Sequence, residues 1–211
     1  MGIGTWVRRR LGPLEIPATD LYRSAFLDLG ALARQLASGM TAKRILEVGC
    51  GDGCLAQRLC QVFPGASYLG IDIIGSAGRL YRGDPAFAEF RVITVQDLCA
   101  EQPEPYDLVL LVDVIHHVPE PLRAEVLRCS AGLVRPDGHL AVKEIERDRS
   151  AYYSAVYVAD RYVTGDRVRF HSMPELRAMM AATRSWGFSE PRVSRVRPAH
   201  NNVLFAARRD R

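Results

Sequence analysis

The chain has 211 residues, 48% of them hydrophobic and 25% charged, with a net charge of +4. That suits one domain with a single buried core and excludes a globally disordered chain. No apolar run nears the ~20 residues of a spanning helix, and no apolar stretch follows the N-terminal arginines as a secretory leader requires, so a cytoplasmic protein without a transmembrane segment is expected.

Lys43 and Lys143 are the only lysines, so the positive charge is almost all arginine. Arg8-Arg9-Arg10 and Arg208-Arg209-Asp210-Arg211 place basic clusters at the two ends, read as solvated tails. The five cysteines, at 50, 54, 60, 99 and 129, form no C-x-x-C pair; reduced thiols are expected rather than a disulfide framework or a zinc site.

Residues 1–19 read as an irregular arm. Thr19-Asp20 can cap a helix running to about Ser38, with Leu21, Phe26, Leu29, Leu32, Ala33 and Leu36 as its apolar stripe. This arm and helix, residues 1–40, would cover a ligand, with Tyr22 or Arg23 reaching its carboxylate. Arg44 to Val48 is a buried strand that runs into Gly49-Cys50-Gly51-Asp52-Gly53 and then a helix from Leu55 to Val62. Three glycines remove Cβ atoms where the backbone turns sharply and a ligand comes close. Glu47 ends the strand as a carboxylate. The spacing is G-x-G-x-G, not the G-x-G-x-x-G of a dinucleotide site, and a carboxylate two residues before the first glycine repels a pyrophosphate.

Ser67 to Ile71 is the second strand, ending at Asp72, where an acid is placed to bind a ribose hydroxyl pair. Gly75 to Ala88 reads as weakly helical. Phe90 to Val95 is the third strand, followed by Gln96-Asp97-Leu98; Asp97 lies 25 residues beyond Asp72, as Asp72 does beyond Glu47. Pro103 and Pro105 exclude a long helix before the fourth strand, Tyr106 to Val112, which is apolar enough to be buried on both faces. Asp113-Val114-Ile115-His116-His117-Val118-Pro119 follows, then a helix from Pro121 to Leu133, a turn at Arg135-Pro136-Asp137-Gly138 and a fifth strand, His139 to Glu144. Residues 146–172 carry Tyr152, Tyr153, Tyr157 and Tyr162, four of the eight tyrosines, and read as a lid or substrate wall. Pro174 to Ser185 is a helix. Pro191 to Arg197 and Asn202 to Ala207 form an antiparallel pair. If the first of these strands is parallel to the rest of the sheet, the hairpin between them brings His200 to the ligand end.

The run Glu47-Val48-Gly49-Cys50-Gly51-Asp52-Gly53 resembles motif I of the class I S-adenosylmethionine (SAM) dependent methyltransferases. "L-V-R-P-D-G-H-L-A-V" resembles that family's approach to its fifth strand, and Asp113 to Pro119 resembles the segment after the fourth strand in its small-molecule members. The resemblance spans roughly Ile45 to Ala207. It implies an α/β fold of Rossmann-like type: a doubly wound, mostly parallel seven-stranded sheet with an antiparallel last strand and helices on both faces, here as one domain over residues 1–211. It also implies a SAM site with S-adenosylhomocysteine as product. Glu47, Gly49 and Gly51 would line the methionine side, Asp72 would take the ribose hydroxyls, Gln96 and Asp97 would flank the adenine, and Asp113 and Val114 would lie beside the sulfonium, with Cys50 and Ile73 as further cofactor-binding candidates. The carboxylates suit the cations of that ligand.

Candidate bases are His116, His117, His171 and His200, with Asp160 and Lys143 behind them, because an imidazole titrates near neutrality. His116 and His117 are the catalytic candidates; Tyr152, Tyr153, His171 and His200 are the substrate-binding ones. Two adjacent histidines with scattered acids are not a metal-ligand pattern, so a metal-free site is expected. The tetrapeptide Asp113-Val114-Ile115-His116 is not the N/D-P-P-Y/F of enzymes acting on exocyclic base nitrogens. No basic patch is interleaved with aromatics in the core, which argues against a nucleic-acid partner. A small apolar or aromatic acceptor is expected, methylated at oxygen before carbon or nitrogen, by a monomer or homodimer. Three other readings stay open: a SAM-binding protein that catalyses a rearrangement or cyclisation, a non-catalytic partner-dependent protein, and a dinucleotide oxidoreductase.

Overall fold

The structure, a computed structural model, describes residues 26–158 and 168–211. Tyr22, Arg23, Asp160 and Tyr162 lie outside the described residues, as does the proposed start of the first helix at Thr19-Asp20. In chain order the elements are α1 (Leu29–Gly39), β1 (Arg44–Val48), α2 (Cys54–Val62), β2 (Ser67–Asp72), β3 (Ala88–Val92), α3 (Val95–Ala100), β4 (Tyr106–Val112), α4 (Glu120–Gly132), β5 (Val134–Ile145), α5 (Ala151–Val158), α6 (Met173–Ala181), a 3-10 turn (Ala182–Trp186), β6 (Arg192–Arg195) and β7 (Asn202–Arg208).

The strands form one seven-stranded sheet in the order β3-β2-β1-β4-β5-β7-β6. β7 is antiparallel to both its neighbours, so β6 runs parallel to β1–β5. Successive strand residues point to opposite faces, and the apolar residues divide accordingly. Leu46, Val109, Leu111 and Val142 pack with Leu98, Val126, Leu127 and Met180, below α3, α4 and α6. Ile45, Leu108, Leu110 and Ala141 pack with Leu32, Leu36, Leu55 and Leu59, above α1 and α2. That is why β4, in the middle, is buried over its first six residues.

The chain winds outward from β1 through β2 to β3, then returns to the other side of β1 with β4. The crevice beyond the carboxyl ends of β1 and β4 is therefore the switch point where open α/β sheets bind ligands.

The local reading needs four corrections. α1 starts at Leu29, not within a helix continuous from Thr19-Asp20 through Phe26, because the Asp28 carboxylate caps it by accepting from the Ala31 N–H at 2.8 Å. Gly75 to Ala88 is a run of turns and bends rather than a helix. Gly78 there has φ +69, and a Cβ on it would lie 2.2 Å from the Phe90 ring. The third strand ends at Val92, and Val95 begins α3, because Thr94 caps that helix. The Arg135–Gly138 turn is an irregularity within β5, where the pairing with β4 shifts register.

Candidate active site

The glycine turn is fixed from β2. The Gly49 and Cys50 N–H groups donate to the Ile71 carbonyl at 2.8 and 3.0 Å. Asp72 Oδ2 accepts from the Gly51 N–H at 2.8 Å, and Oδ1 from the Ile74 N–H at 3.1 Å. Gly49, Gly51 and Gly53 all have positive φ, and a Cβ on Gly49 would lie 2.5 Å from Val114 Cγ2. The turn thus requires glycine for its conformation and also for the close approach of the loop after β4. Glu47 is buried on the wall below, where the Tyr68 hydroxyl donates to its Oε2 at 2.5 Å. Burial and the Glu47 charge push the Tyr68 hydroxyl well above its ordinary value, so it stays a donor. Cys50 beside them is raised by burial, then by Glu47 and Asp72, and is held as a thiol, not a nucleophile.

The loop Asp113–Val118 is held by two successive residues of β5. Lys143 and Glu144 point to opposite faces of the sheet, and each takes one part of the loop. Lys143 is fully buried and donates to both oxygens of Asp113, at 2.7 and 2.6 Å. Asp113 has φ +56, and its N–H donates to the Lys143 carbonyl at 2.9 Å. Glu144 Oε1 accepts from the Val114 and Ile115 N–H groups at 3.1 and 2.7 Å, and its Oε2 lies 2.6 Å from His116 Nδ1. Burial opposes the charge on Glu144, but the His116 imidazole and the Ile115 N–H hold its carboxyl below the usual range. An ionised Glu144 makes Nδ1 of His116 the protonated nitrogen. Asp113, His116 and Glu144 bring ligand atoms within 4.8 Å of one another. Those oxygens are already engaged by Lys143, two backbone amides and the imidazole.

A cavity of about 1020 Å³ opens between the turn and the loop. Glu47, Gly49, Cys50, Gly51, Asp72, Ile73, Gln96, Asp113, Val114, His116 and His117 all line it. His116 is 1% exposed, whereas His117 is exposed. Both precede α4 in a turn instead of starting that helix.

The other sequence candidates sit elsewhere. Asp97 does not line the cavity: its carboxylate accepts from the Thr94 hydroxyl at 2.6 Å, which in turn accepts from the Asp97 N–H. Tyr152 donates its hydroxyl to the Phe26 carbonyl, and Tyr153 meets Phe170 edge-on, so both pack a small apolar cluster with Ile145 and Val156 behind the wall. His171 is buried against Arg123. His200 is on the β6–β7 hairpin at the ligand end, 3.1 Å from Asp148. Against slight burial, Ser150, Asn201 and His200 hold the Asp148 carboxyl down to about 2.

The apolar flank includes Phe26 and Leu29 from the expected cover, residues 1–40, and Val156 from the expected substrate wall, residues 146–172, whereas the sequence offers no such signal at Leu122, Val126 and Ile145. Phe26, Ile145 and Val156, which cluster at the end of β5, line the cavity, and so do Leu29, Leu122 and Val126. β2 and β5 are three strand spacings apart, roughly 14 Å. An acidic end at Glu47 and Asp72 is therefore separated from an apolar end at Ile145 and Val156.

A family model described as a methyltransferase domain matches residues 46–140. Over those residues the chain resembles a class I methyltransferase domain. The ubiquinone biosynthesis O-methyltransferase of Acinetobacter baylyi is 36% identical to it over 130 residues, 59% of this chain and 52% of that protein. The chain spans about half the length of the curated relatives it matches. Among solved structures, the Burkholderia thailandensis 1,6-didemethyltoxoflavin-N1-methyltransferase with bound S-adenosylhomocysteine is similar at a TM-score of 0.64 and 21% identity, covering 97% of this chain and 88% of that one. Human N-acetylserotonin methyltransferase in complex with SAM is similar at a TM-score of 0.65 and 16% identity, over 85% of this chain and 52% of that one. At these identities the likeness is one of fold. The methyltransferase-domain family uses SAM, and the donor set here suits it: carboxylates at 47 and 72, a glycine turn open to close approach, and an apolar strip at Ile73 and Ile93 beside Gln96. Among the described residues no helix is long and apolar enough to cross a membrane.

Proposed function

We propose that the chain is a methyltransferase that transfers a methyl group from SAM to a hydroxyl of a small apolar or aromatic molecule. The observation that carries this reading is the two-ended cavity. Glu47 and Asp72 are acids at one flank, aliphatic and aromatic side chains line the other, and His116 lies on the wall between them. Its volume of about 1020 Å³ is at the upper end of ligand pockets and leaves room for two molecules side by side.

SAM supplies a methyl on a sulfonium, which is already a good leaving group. The protein's part is then to orient, exclude water and manage one proton. Glu47 and Asp72 present negative charge to a cationic ligand and are held in place, Glu47 by Tyr68 and Asp72 by the Gly51 and Ile74 amides. The apolar flank takes an acceptor with little polar surface. A hydroxyl must lose its proton as it attacks, and an imidazole near neutral pKa is the suitable base. In this reading His116 takes that proton: Glu144 fixes its Nδ1–H tautomer and stabilises the imidazolium that forms, as the carboxylate does in a catalytic triad. The exposed His117 meets the acceptor at the cavity mouth.

The test is incubation with methyl-labelled SAM and a panel of phenols, carboxylic acids and amines, read by mass spectrometry. Methylation confined to hydroxyl acceptors, lost in His116→Ala, is expected. Methylation of amines alone, or undiminished O-methylation by a folded His116→Ala, contradicts the assignment.

A further inference from the structure

The short segment that precedes α6 grips the cavity loop at several points. The Arg169 N–H donates to the His116 carbonyl at 2.9 Å. The Phe170 ring stacks on the His116 imidazole, centroids 4.5 Å apart. Arg123, buried on α4, donates from Nε to the Val118 carbonyl at 2.9 Å, and its Nη1 lies 2.9 Å from Nε2 of His171. The His171 backbone bridges to the end of β5, pairing with Glu146 and accepting from the Arg147 N–H at 2.8 Å. One guanidinium therefore ties the end of the loop to the segment, and the His171 backbone ties the segment to the sheet.

A guanidinium has donors only and stays charged. Nε2 of His171 must then be the acceptor, so the ring is neutral and its proton is on Nδ1. That nitrogen is buried with no partner among the described residues. No interaction at Nδ1 fixes the tautomer; the hydrogen bond from Arg123 does.

We propose that Arg123 and His171 are positioning residues which hold the loop Asp113–Val118 against the cavity, and that the hold requires a neutral His171. This rests on the proposed function only in taking that cavity as the reaction site. Protonation of His171 would turn the acceptor into a donor and set two cations side by side. The charged groups around the ring are Arg123 from α4, Glu144 from β5, Glu175 from α6 and Arg169 on its own segment, with Arg147 paired to Glu175 at 3.0 Å. Burial, then Arg123, lowers the His171 imidazole from its ordinary value of 6.5, while Glu144 and Glu175 act the other way. The folded ring thus stays neutral where the unfolded one would protonate. The hold is complete above pH 6.5 and is lost as the pH falls through the lowered folded value.

Amide hydrogen exchange of the full chain tests this without any substrate, so it stands or falls apart from the methyl-transfer reading. The amides to follow are Arg147 and Arg169, from about pH 8 to about pH 5, corrected for intrinsic rates. In the wild type, opening should increase by about tenfold per pH unit below pH 6.5, until the lowered folded value is reached. His171→Gln keeps an acceptor that does not titrate, and its protection should be flat with pH. Arg123→Met should expose both amides at every pH while the β4 amides stay protected. If Arg123→Met fails to fold, Arg123→Lys decides, because an ammonium cannot span both acceptors as the fork does. Wild-type protection that is flat across the range, or an arginine variant with wild-type protection at both amides, would overturn the proposal.

Discussion

The β1–β2 flank of the cavity is shaped by backbone, whereas the β4–β5 flank is shaped by side chains. On the first, glycines at positive φ and amide donors to Ile71 and Asp72 set the surface. On the second, two buried side chains of β5, Lys143 and Glu144, hold a loop about thirty residues away through Asp113, His116 and two amides. A backbone-built surface presents a fixed shape to a ligand of one kind. A loop held by charge pairs can change its lining residues while its anchors stay, which suits a flank proposed to face the methyl acceptor. The two flanks meet at Gly49 and Val114.

The largest expected effect is on the side-chain flank. Glu144→Leu leaves His116 and two amides without their acceptor in a site where both side chains are 1% exposed. Breaking such a pair should cost about 4 kcal/mol in denaturant unfolding. A loss under about 1 kcal/mol, the range of exposed pairs, would mean that this flank is not held by the pair. Gly49→Ala strikes where the flanks meet. It combines a φ of +75 with a Cβ 2.5 Å from Val114 Cγ2, and about 3 kcal/mol is expected from strain and overpacking together. Gly49→Ala with Val114→Ala should recover the packing part and leave the strain, which measures how far each flank limits the other.

Asp72→Ala should lower SAM affinity tenfold or more, about 1.4 kcal/mol per tenfold, in a protein that still folds. Unchanged affinity would remove the acid from the binding role. The smallest effect is on acid stability. Glu144 is lowered from its ordinary value of 4.5, so its contribution is present above that pH and is lost as pH falls through the lower folded value. The acid limb of the unfolding curve should therefore flatten in Glu144→Leu.

The same division explains what could be read from the sequence. β1 and β4 were legible to the residue, since a buried strand ending in a glycine turn and a continuous apolar run leave few alternatives. The glycine turn and the position of Asp72 at the end of β2 were legible because local spacing specifies them. The partnership of His116 with Glu144 was not, since 28 residues and the β4–β5 register separate them, and no local pattern encodes that register. Asp97 was read toward a ligand although Thr94-Val95-Gln96-Asp97 has the spacing of a helix cap, a signal that was available. The apolar flank was legible in part: Phe26 and Leu29 fall in the expected cover and Val156 in the expected substrate wall, whereas Leu122 and Val126 read as ordinary helix core until the fold sets them around a cavity.

The central claim is that the acidic, backbone-built flank binds SAM. Calorimetric titration of the purified protein with SAM, S-adenosylhomocysteine and NADH tests it most directly. The account predicts binding of the first two, weakened together by Asp72→Ala, and no binding of NADH. Binding of NADH, or of none of the three by a folded protein, would contradict it.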